Sequence, residues 1–412
     1  MNTARPFVPQ AGDAKASVRA LTSDRRRMLR VWWREIDRVL LGMIVLLMAV
    51  GALAVAAASP ASAQRLSTSS TQLNDLHFFW LQLRWQALGL LVLVGTSLVE
   101  KETVRRGAIL LAGTMLFALL LVPFIGYEVN GARRWLRLGL SVQPSEFLKP
   151  AFAVTIAWIL SWKLRDPDLP VIGVSAALLG VIVILLMAQP NLGSAILFVG
   201  AWFVIVMLAG LPLQKIGMLT GAGMAGLIAA YLFYDNARHR IDSFIGGGSS
   251  YDQVDLASRT LMGGGWTGSG LWLGTNKMRL PEAHTDYVFS VVGEEFGLIV
   301  CGVIVLLYLA IIMRVMVRLV EEDRLFNILA ASGLTALFGG QAFINILVNL
   351  QLFPSKGMTL PLVSYGGSST LAQCLTIGLL LAVTRRNPFL SRDPLDLRAA
   401  LEKEAGTKEM GS

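Results

Sequence analysis

The chain has 412 residues, of which 54% are hydrophobic and only 15% are charged, and its formal net charge is +9. A soluble domain carries roughly 25% charged residues, so this composition excludes an ordinary soluble enzyme and indicates a helical membrane protein. The positive charge favours anionic lipid headgroups. It argues against nucleic acid as a partner, because the cations are not gathered into a soluble basic domain interleaved with aromatic residues.

The N-terminal segment, residues 1–36, is polar and basic, with three consecutive arginines at 25–27. We predict a disordered cytoplasmic tail here, and a second cytoplasmic tail over residues 386–412. Ala61-Ser62-Ala63 resembles a signal-peptidase site. The apolar run before it is longer than the usual signal region of about 7–15 residues, which favours a first helix that is retained.

Ten apolar runs follow the tail, and each is long enough to cross roughly 30 Å of hydrocarbon as a helix. They cover about 39–58, 80–99, 107–125, 147–162, 171–188, 192–210, 216–234, 287–313, 326–350 and 359–383. We therefore predict an all-α polytopic membrane domain over residues 37–385, with a long outer loop at 235–285 between helices seven and eight. With the N-terminus inside, 24 of the 36 Lys and Arg residues fall on the cytoplasmic side, so both termini are expected there.

The outer cations form two groups. A compact group lies in and beside the loop after the third helix: Arg133, Arg134, Arg137 and Lys149. The other group lies in the long loop: Arg238, Arg240, Arg259, Lys277 and Arg279. Either an anionic ligand on the outer face or pairing with the loop's own acids explains them, and a ligand is favoured for the compact group.

An acid, Asp286, stands where the long loop meets the eighth apolar run. Ser290, Gly293 and Gly297 follow at helical spacing on the same face, and the Gly293-xxx-Gly297 pair allows another helix to approach closely. A carboxylate at the mouth of a membrane helix suggests a functional site. The alternative is an acid in the first helical turn that complements the helix dipole.

Three further polar groups interrupt the apolar background. Glu146 and Lys149 are three residues apart at a predicted helix start and can pair. The amides Gln341, Asn345 and Asn349 share one helix face and are expected to bond neighbouring helices. The segment 354–369 is rich in proline and glycine, so we expect it to line a cavity.

The usual signatures of nucleotide and metal chemistry are missing from the sequence. The G-x-G-x-x-G string in the long loop has no βαβ context, and there is no phosphate-binding GxxxxGK[ST] loop. Cys301 and Cys374 lie inside apolar runs, where they are expected to pack as small hydrophobic side chains. The three histidines show no ligand spacing, so we predict no protein-bound metal.

Taken together, these motifs resemble the SEDS family (shape, elongation, division and sporulation), whose members include FtsW and RodA. The resemblance runs over about residues 38–385, and its second half looks closer to the division member. It is carried by Gly131-Ala-Arg-Arg-Trp135, Gln143-Pro-Ser-Glu146-Phe-Leu-Lys149, Gln189-Pro190, Pro281-Glu-Ala-His-Thr-Asp286, Gly293-Glu-Glu-Phe-Gly297 and Pro361-Leu-Val-Ser-Tyr-Gly-Gly-Ser-Ser369. Asn191 departs from the pattern, because the family more often has Asp there.

The resemblance implies a peptidoglycan glycosyltransferase that polymerises lipid II into a nascent glycan strand at the outer face of the bacterial inner membrane, at the division septum. It also implies a class B penicillin-binding protein and other divisome membrane proteins as partners. By the same match, Asp286 would be the catalytic carboxylate. The matching substrate-binding residues would be Arg133, Arg134, Trp135, Lys149, His284, Lys356 and Ser364.

The chemistry of such a transfer fits these residue types. A carboxylate can accept the proton of an attacking sugar hydroxyl, and cations can hold the charge that develops on a diphosphate leaving group. A Mg or Mn ion accompanying the diphosphate is the one cofactor we consider. Two rival functions stay open at this point: a flippase for lipid II, which needs a continuous polar path, and a division scaffold without activity.

Overall fold

The computed structural model describes residues 29–386, apart from 69–71, 130–131, 165, 167, 212, 236–237, 239–240, 243–252 and 355–356. Within these ranges, nine helices are long and apolar enough to cross a membrane, and a tenth apolar helix has 17 residues. The ten are α1 (Arg38–Leu66), α2 (His77–Ser97), α3 (Lys101–Ile125), α4 (Pro144–Ser161), α5 (Val171–Ala188), α6 (Leu192–Leu208), α7 (Leu213–Phe233), α9 (Val288–Leu319), α10 (Leu325–Asn349) and α11 (Gly367–Thr384), while α8 (Gln253–Gly263) is a shorter helix in the long loop. The predicted helical membrane fold is confirmed.

The bundle is built around α4, α10 and α11. In the apolar stretch of each, 61%, 67% and 83% of the residues respectively are buried, against 17% in α3. Their sequences explain this position, since serine, threonine, alanine and amide side chains let neighbouring helices pack closely and bond to one another. The predicted Glu146–Lys149 pair and the amides of α10 therefore lie at the centre of the fold.

The helix that follows Asp286 is interrupted at Gly297, whose φ of +86° lies in the left-handed region. At this break the outer loop inserts its backbone beside the helix. Ser269 N–H donates to the Glu294 carbonyl at 2.8 Å, and Leu298 N–H donates to the Gly265 carbonyl at 3.0 Å. The groups released by the break are thus bonded to the loop, as an apolar environment requires. One turn earlier, Gly293 packs directly against Leu261 of α8, as its predicted role in close helix approach requires.

A small antiparallel sheet, which the all-α prediction did not include, follows α3. Its strands β1 (Tyr127–Val129), β2 (Ala132–Leu138) and β3 (Leu140–Val142) lie in that order, with Tyr127 opposite Trp135 and Arg137 opposite Ser141. The Tyr127 hydroxyl also hydrogen-bonds the Ser141 hydroxyl at 2.6 Å. The strands are too short, and too rich in cations, to give a clear alternating signal in the sequence.

Two predicted boundaries are wrong. Residues 29–35, assigned to the disordered tail, form a helix, because the buried Trp32 packs under the bundle and its indole donates to Ser97 Oγ at 3.0 Å. The last apolar run, predicted to be helical from 359, is irregular up to Gly366, since Pro361 and Gly366 disfavour a helix. Residues 1–28 and 387–412, the rest of the predicted tails, lie outside the described residues.

Candidate active site

Asp286 lies in the turn before α9, and its backbone carbonyl is held by two amides of α10. Asn345 Nδ2 donates to this carbonyl at 2.8 Å and Asn349 Nδ2 at 3.2 Å. Asn349 also accepts from the Ser290 hydroxyl at 2.7 Å, which joins the two helices below the turn. The predicted role of these amides in bonding neighbouring elements is confirmed, and the element that they hold carries the candidate catalytic acid.

The side chain of Asp286 is half-buried in a narrow cleft. The first turn of α9 contains no acid and the residue that caps it is Tyr287, so Asp286 is not the first-turn acid of the alternative interpretation. Gly357 lies against the carboxylate, since a Cβ at that position would be 3.5 Å from Asp286 Oδ2. The cleft between α10 and this glycine has a volume of about 10 Å³, close to that of one water-sized probe. Lys356, predicted to bind substrate, is outside the described residues.

A second polar network surrounds the buried Lys149 near the start of α4. Lys149 Nζ donates to Glu146 Oε1 at 2.7 Å, the predicted pair, and to Gln341 Oε1 at 2.8 Å. Gln373 of α11 donates to the same Gln341 oxygen at 3.1 Å, and the Ser369 hydroxyl donates to Glu146 Oε2 at 3.5 Å. All five side chains are buried. Gln373 was missed in the sequence analysis, because its partner Gln341 lies 32 positions earlier and no sequence pattern links the two residues.

The irregular segment 357–366 connects the two networks. Asn345 donates to the Met358 carbonyl at 2.6 Å, and Gln341 donates to the Thr359 carbonyl at 3.0 Å. Side chains therefore replace the missing helical hydrogen bonds, which is how irregular backbone is tolerated at membrane depth. The segment was expected to line a cavity, and two of its residues, Gly357 and Met358, line the narrow cleft beside Asp286.

Several buried polar atoms around this segment have no hydrogen-bond partner among the described residues. They are Gln82 Oε1, His284 Nδ1, Ser368 Oγ and Gln373 Oε1. An unpaired buried polar atom is costly in an apolar environment, so such atoms call for a functional or solvent partner. Their clustering around 357–366 indicates a region built to receive polar groups.

The compact outer cations divide into two roles. Arg134 donates to the backbone carbonyls of Gln189 and Pro190, which ties the sheet to the turn between α5 and α6. Arg133 is exposed and lies 3.7 Å from Glu128, and Trp135 is half-buried on the same strand. The structure therefore leaves Arg133 open to solvent and uses Arg134 in packing. Substrate binding by these residues stays a prediction.

His284 and Ser364, the remaining predicted substrate-binding residues, are both buried. The His284 ring packs between Phe78 and Tyr365, with ring centroids 4.2 and 5.4 Å away. Burial lowers the pKa of His284 to about 4, although the charge of Glu282 opposes this shift. The Ser364 hydroxyl accepts from Leu360 N–H at 2.8 Å and closes a turn. Both residues shape the segment beside Asp286.

Most described cations of the long outer loop have partners within the protein. Arg259 pairs with Asp255 at 2.8 Å, and Arg238 lies 3.7 Å from Asp242. Lys277 is buried and pairs with Glu295 of α9. The alternative of a loop that neutralises its own charges is favoured here, and Arg240 lies outside the described residues. The Lys277–Glu295 pair was missed because 18 residues separate its members.

Among the described residues, no three His, Cys, Asp or Glu side chains come together as a metal cluster. Asp286 is the acid of the candidate site, and Glu146 is already bonded to Lys149. The donor set therefore does not fit a resident metal ion. A divalent cation that enters with a diphosphate would be held largely by the phosphate oxygens.

These features define a class: a polytopic membrane protein with a carboxylate at the end of its bundle, above a buried network of lysine, glutamate and amides. The family model for FtsW, RodA and SpoVE, described as cell cycle proteins, matches residues 37–388. The chain belongs to this family.

Curated relatives and solved structures agree with this assignment. A protein of Caulobacter vibrioides named probable peptidoglycan glycosyltransferase FtsW is 35% identical, and the match covers 91% of this chain and 96% of that protein. A protein of Xanthomonas oryzae with the same name is also 35% identical, and the match covers 84% of this chain and 72% of that protein. A chain from a peptidoglycan synthase complex that coordinates polymerization and crosslinking is 27% identical and superimposes with a TM-score of 0.68. The rod shape determining protein RodA of Thermus thermophilus is 28% identical, with a TM-score of 0.63. Each of these two solved chains is covered to 97%, and each match covers 85% of this chain.

Proposed function

We propose that this protein is a peptidoglycan glycosyltransferase that polymerises lipid II during septal cell-wall synthesis. The observation that carries the proposal is the placement of Asp286, whose backbone is fixed by Asn345 and Asn349 while its carboxylate faces a cleft. Family membership and the activity in the names of the curated relatives support the same activity. The two rigid amide contacts favour a fixed base over a mobile gating acid.

In the proposed reaction, Asp286 accepts the proton of the attacking sugar hydroxyl as that oxygen forms a bond to the anomeric carbon of the second sugar. The bond from that carbon to the lipid diphosphate breaks, and the diphosphate leaves with the bonding electron pair. Because a diphosphate is a good leaving group, the site needs cations to hold its charge and does not need a second acid. Arg133 at the surface and Lys149 in the buried network are the residues we assign to that charge, with Lys356 as a third.

The proposed setting is the inner membrane with both termini in the cytoplasm, so that Asp286 faces the outside. A class B penicillin-binding protein is the proposed crosslinking partner. This agrees with the solved relative that belongs to a peptidoglycan synthase complex coordinating polymerization and crosslinking. A lipid II flippase is less favoured, since the buried polar network centres on the Asp286 end. Arg314 and Arg318, at the other end of α9, are paired with Asp37 at 2.8 and 2.9 Å.

Polymerisation of purified lipid II in detergent, with the cognate penicillin-binding protein present, tests the proposal. We expect long glycan strands from the wild type and at least about 100-fold less product from Asp286→Asn, because a positioned base contributes roughly 10²–10⁴-fold. Asp255→Asn, which removes another acid from the outer loop, is the matched control. A wild type that makes no strands but moves lipid II across liposomes would support the flippase, and equal product from all three proteins would remove Asp286 from the mechanism.

A further inference from the structure

A large cavity lies at the end of the bundle opposite to Asp286. Its volume is about 580 Å³, within the range of roughly 300–1,000 Å³ of small-molecule sites. It opens between the start of α3, the end of α4 and the start of α10. Twenty residues of α10 separate its rim at Leu325 from Asn345, so at 1.5 Å per residue the cavity is about 30 Å from the candidate active site. The proposed reaction does not use it.

The lining of this cavity is rich in cations. Lys101, Arg105 and Arg324 line it, against one carboxylate, Glu102. Glu102 bonds Arg105 at 2.5 Å, and Glu322 lies 3.9 Å from Lys101 just outside the lining. The side chains of Lys101 and Arg105 keep 28% and 32% of their surface exposed, so they can contact a ligand while retaining these partners. These three cations make the cavity suitable for binding an anionic group.

The wall of the cationic cavity is shared with an apolar one. Trp158 and Trp162 line both, and their rings meet edge to face with centroids 6.0 Å apart. The second cavity has a volume of about 300 Å³, and its other lining residues are all apolar: Ile159, Leu169, Pro170, Val171 and Val174. It lies where α4 ends and α5 begins. Tryptophan is enriched at the boundary between headgroups and hydrocarbon, so the pair suits a site for a lipid.

We infer that the two cavities together bind one acidic phospholipid, with its phosphate among Lys101, Arg105 and Arg324 and an acyl chain along Trp158 and Trp162. A soluble anion would use the first cavity but gain nothing from the second. A zwitterionic phospholipid would fill the second but bring a positive group to the three cations. Basic pockets between membrane helices bind acidic lipids in this way. In the proposed topology, this lipid belongs to the cytoplasmic leaflet.

Lipid retention by the purified full-length protein, measured by native mass spectrometry in neutral detergent, tests this inference. We expect phosphatidylglycerol to be retained in preference to phosphatidylcholine with the same chains. Lys101→Gln combined with Arg105→Gln should weaken phosphatidylglycerol binding about twenty-fivefold, since each basic residue near a membrane surface contributes about fivefold. Ser161→Trp, which places a large ring in the lining of the cavity and leaves its charges in place, should also reduce retention.

Arg106→Gln is the matched control, because Arg106 bonds the same Glu102 at 2.9 Å but is 76% exposed and does not line the cavity. This variant should retain phosphatidylglycerol as the wild type does. Equal retention of the two phospholipids, or an equal loss in Arg106→Gln and the double variant, would overturn the inference. If inorganic phosphate stabilised the wild type against heat as strongly as phosphatidylglycerol, and only through Lys101 and Arg105, the site would belong to a soluble anion instead.

Discussion

Two buried lysine–glutamate pairs lie in the half of the molecule that contains Asp286, and they are built differently. The Lys149–Glu146 pair is surrounded by side chains, since Gln341 accepts from Lys149 at 2.8 Å and Ser369 donates to Glu146. The other hydrogen-bond partners of the Lys277–Glu295 pair are backbone groups. Lys277 also donates to the Ala57 carbonyl at 3.0 Å, and Glu295 accepts from the N–H groups of Trp272 and Gly274.

This difference supports the proposal that the Lys149 network handles substrate, and it favours a structural role for the Lys277–Glu295 pair. Side chains around Lys149 can turn toward a bound diphosphate, and Gln373 Oε1 in that network has no partner among the described residues. Backbone groups around Lys277 cannot turn without moving the loop that inserts at Gly297. We therefore assign the first pair to substrate handling and the second to holding the loop on α9.

Breaking the structural pair should give the largest effect. Lys277→Met leaves the buried Glu295 carboxylate without its counter-charge, and such a loss costs roughly 3–5 kcal/mol. We expect a large drop in the midpoint of thermal unfolding in detergent. Adding Glu295→Leu should restore only part of it, because the N–H groups of Trp272 and Gly274 then lose their acceptor. Full recovery in the double variant would show that the backbone contacts add nothing.

Removing the functional pair should separate stability from activity. Lys149→Met with Glu146→Leu replaces a buried ion pair by apolar side chains, a change that is often neutral for stability. Lipid II polymerisation should nevertheless fall about 100-fold, which corresponds to about 2.7 kcal/mol of transition-state stabilisation. Normal activity in this folded double variant would contradict a role for the Lys149–Glu146 pair in substrate handling, since both lysine–glutamate pairs would then be structural.

Unlike the two buried lysines, the buried His284 has no ion pair with an acid among the described residues. Its pKa is lowered to about 4 by burial, while the unfolded value is near 6.5, so below pH 6.5 the unfolded chain binds a proton that the folded chain does not. Stability should therefore fall by about 2 kcal/mol between pH 7 and pH 5 through this residue alone. The stability of His284→Phe, measured by thermal unfolding, should fall by about 2 kcal/mol less than that of the wild type over the same pH range. Identical pH dependence in His284→Phe and the wild type would contradict a lowered pKa for His284.

Asn345 joins the Asp286 turn to the 357–366 segment, so its loss should have the smallest effect of the four. Asn345→Ala removes hydrogen bonds to the carbonyls of Asp286 and Met358 and should lower the polymerisation rate at saturating lipid II about tenfold, with little change in apparent affinity. Phe343→Ala, on the exposed face of the same helix, is the control. A loss confined to affinity would mean that Asn345 shapes a binding surface rather than the position of Asp286.

Local and periodic features were predictable from the sequence. Hydrophobic runs predicted the nine helices long enough to span a membrane, and the shorter apolar helix α6, that the described residues form. The spacing of three predicted the Glu146–Lys149 pair, and the helical face of Gln341, Asn345 and Asn349 predicted interhelical bonding. Each of these signals lies within a few turns of one helix. The position of Asp286 just before a membrane helix was also predictable, because a carboxylate directly before a long apolar run is easily recognised in the sequence.

Long-range features were not predictable. Insertion of the loop at Gly297 depends on backbone hydrogen bonds between segments about 30 residues apart. The partners of the Lys277 side chain come from two separate helices, α1 and α9. The small sheet after α3 depends on tertiary support rather than on propensity. Resemblance to a family pointed to Asp286 but gave no account of the two amides that fix its backbone.

The most direct test of the account measures the rate of lipid II polymerisation and the amount of bound lipid II in the same sample, for Asp286→Asn beside Asp255→Asn. If Asp286 is the base, bound lipid II stays at the wild-type level in both variants, while the rate falls at least about 100-fold in Asp286→Asn alone. A rate that falls only in proportion to bound lipid II, or that does not fall at all, would contradict the central claim.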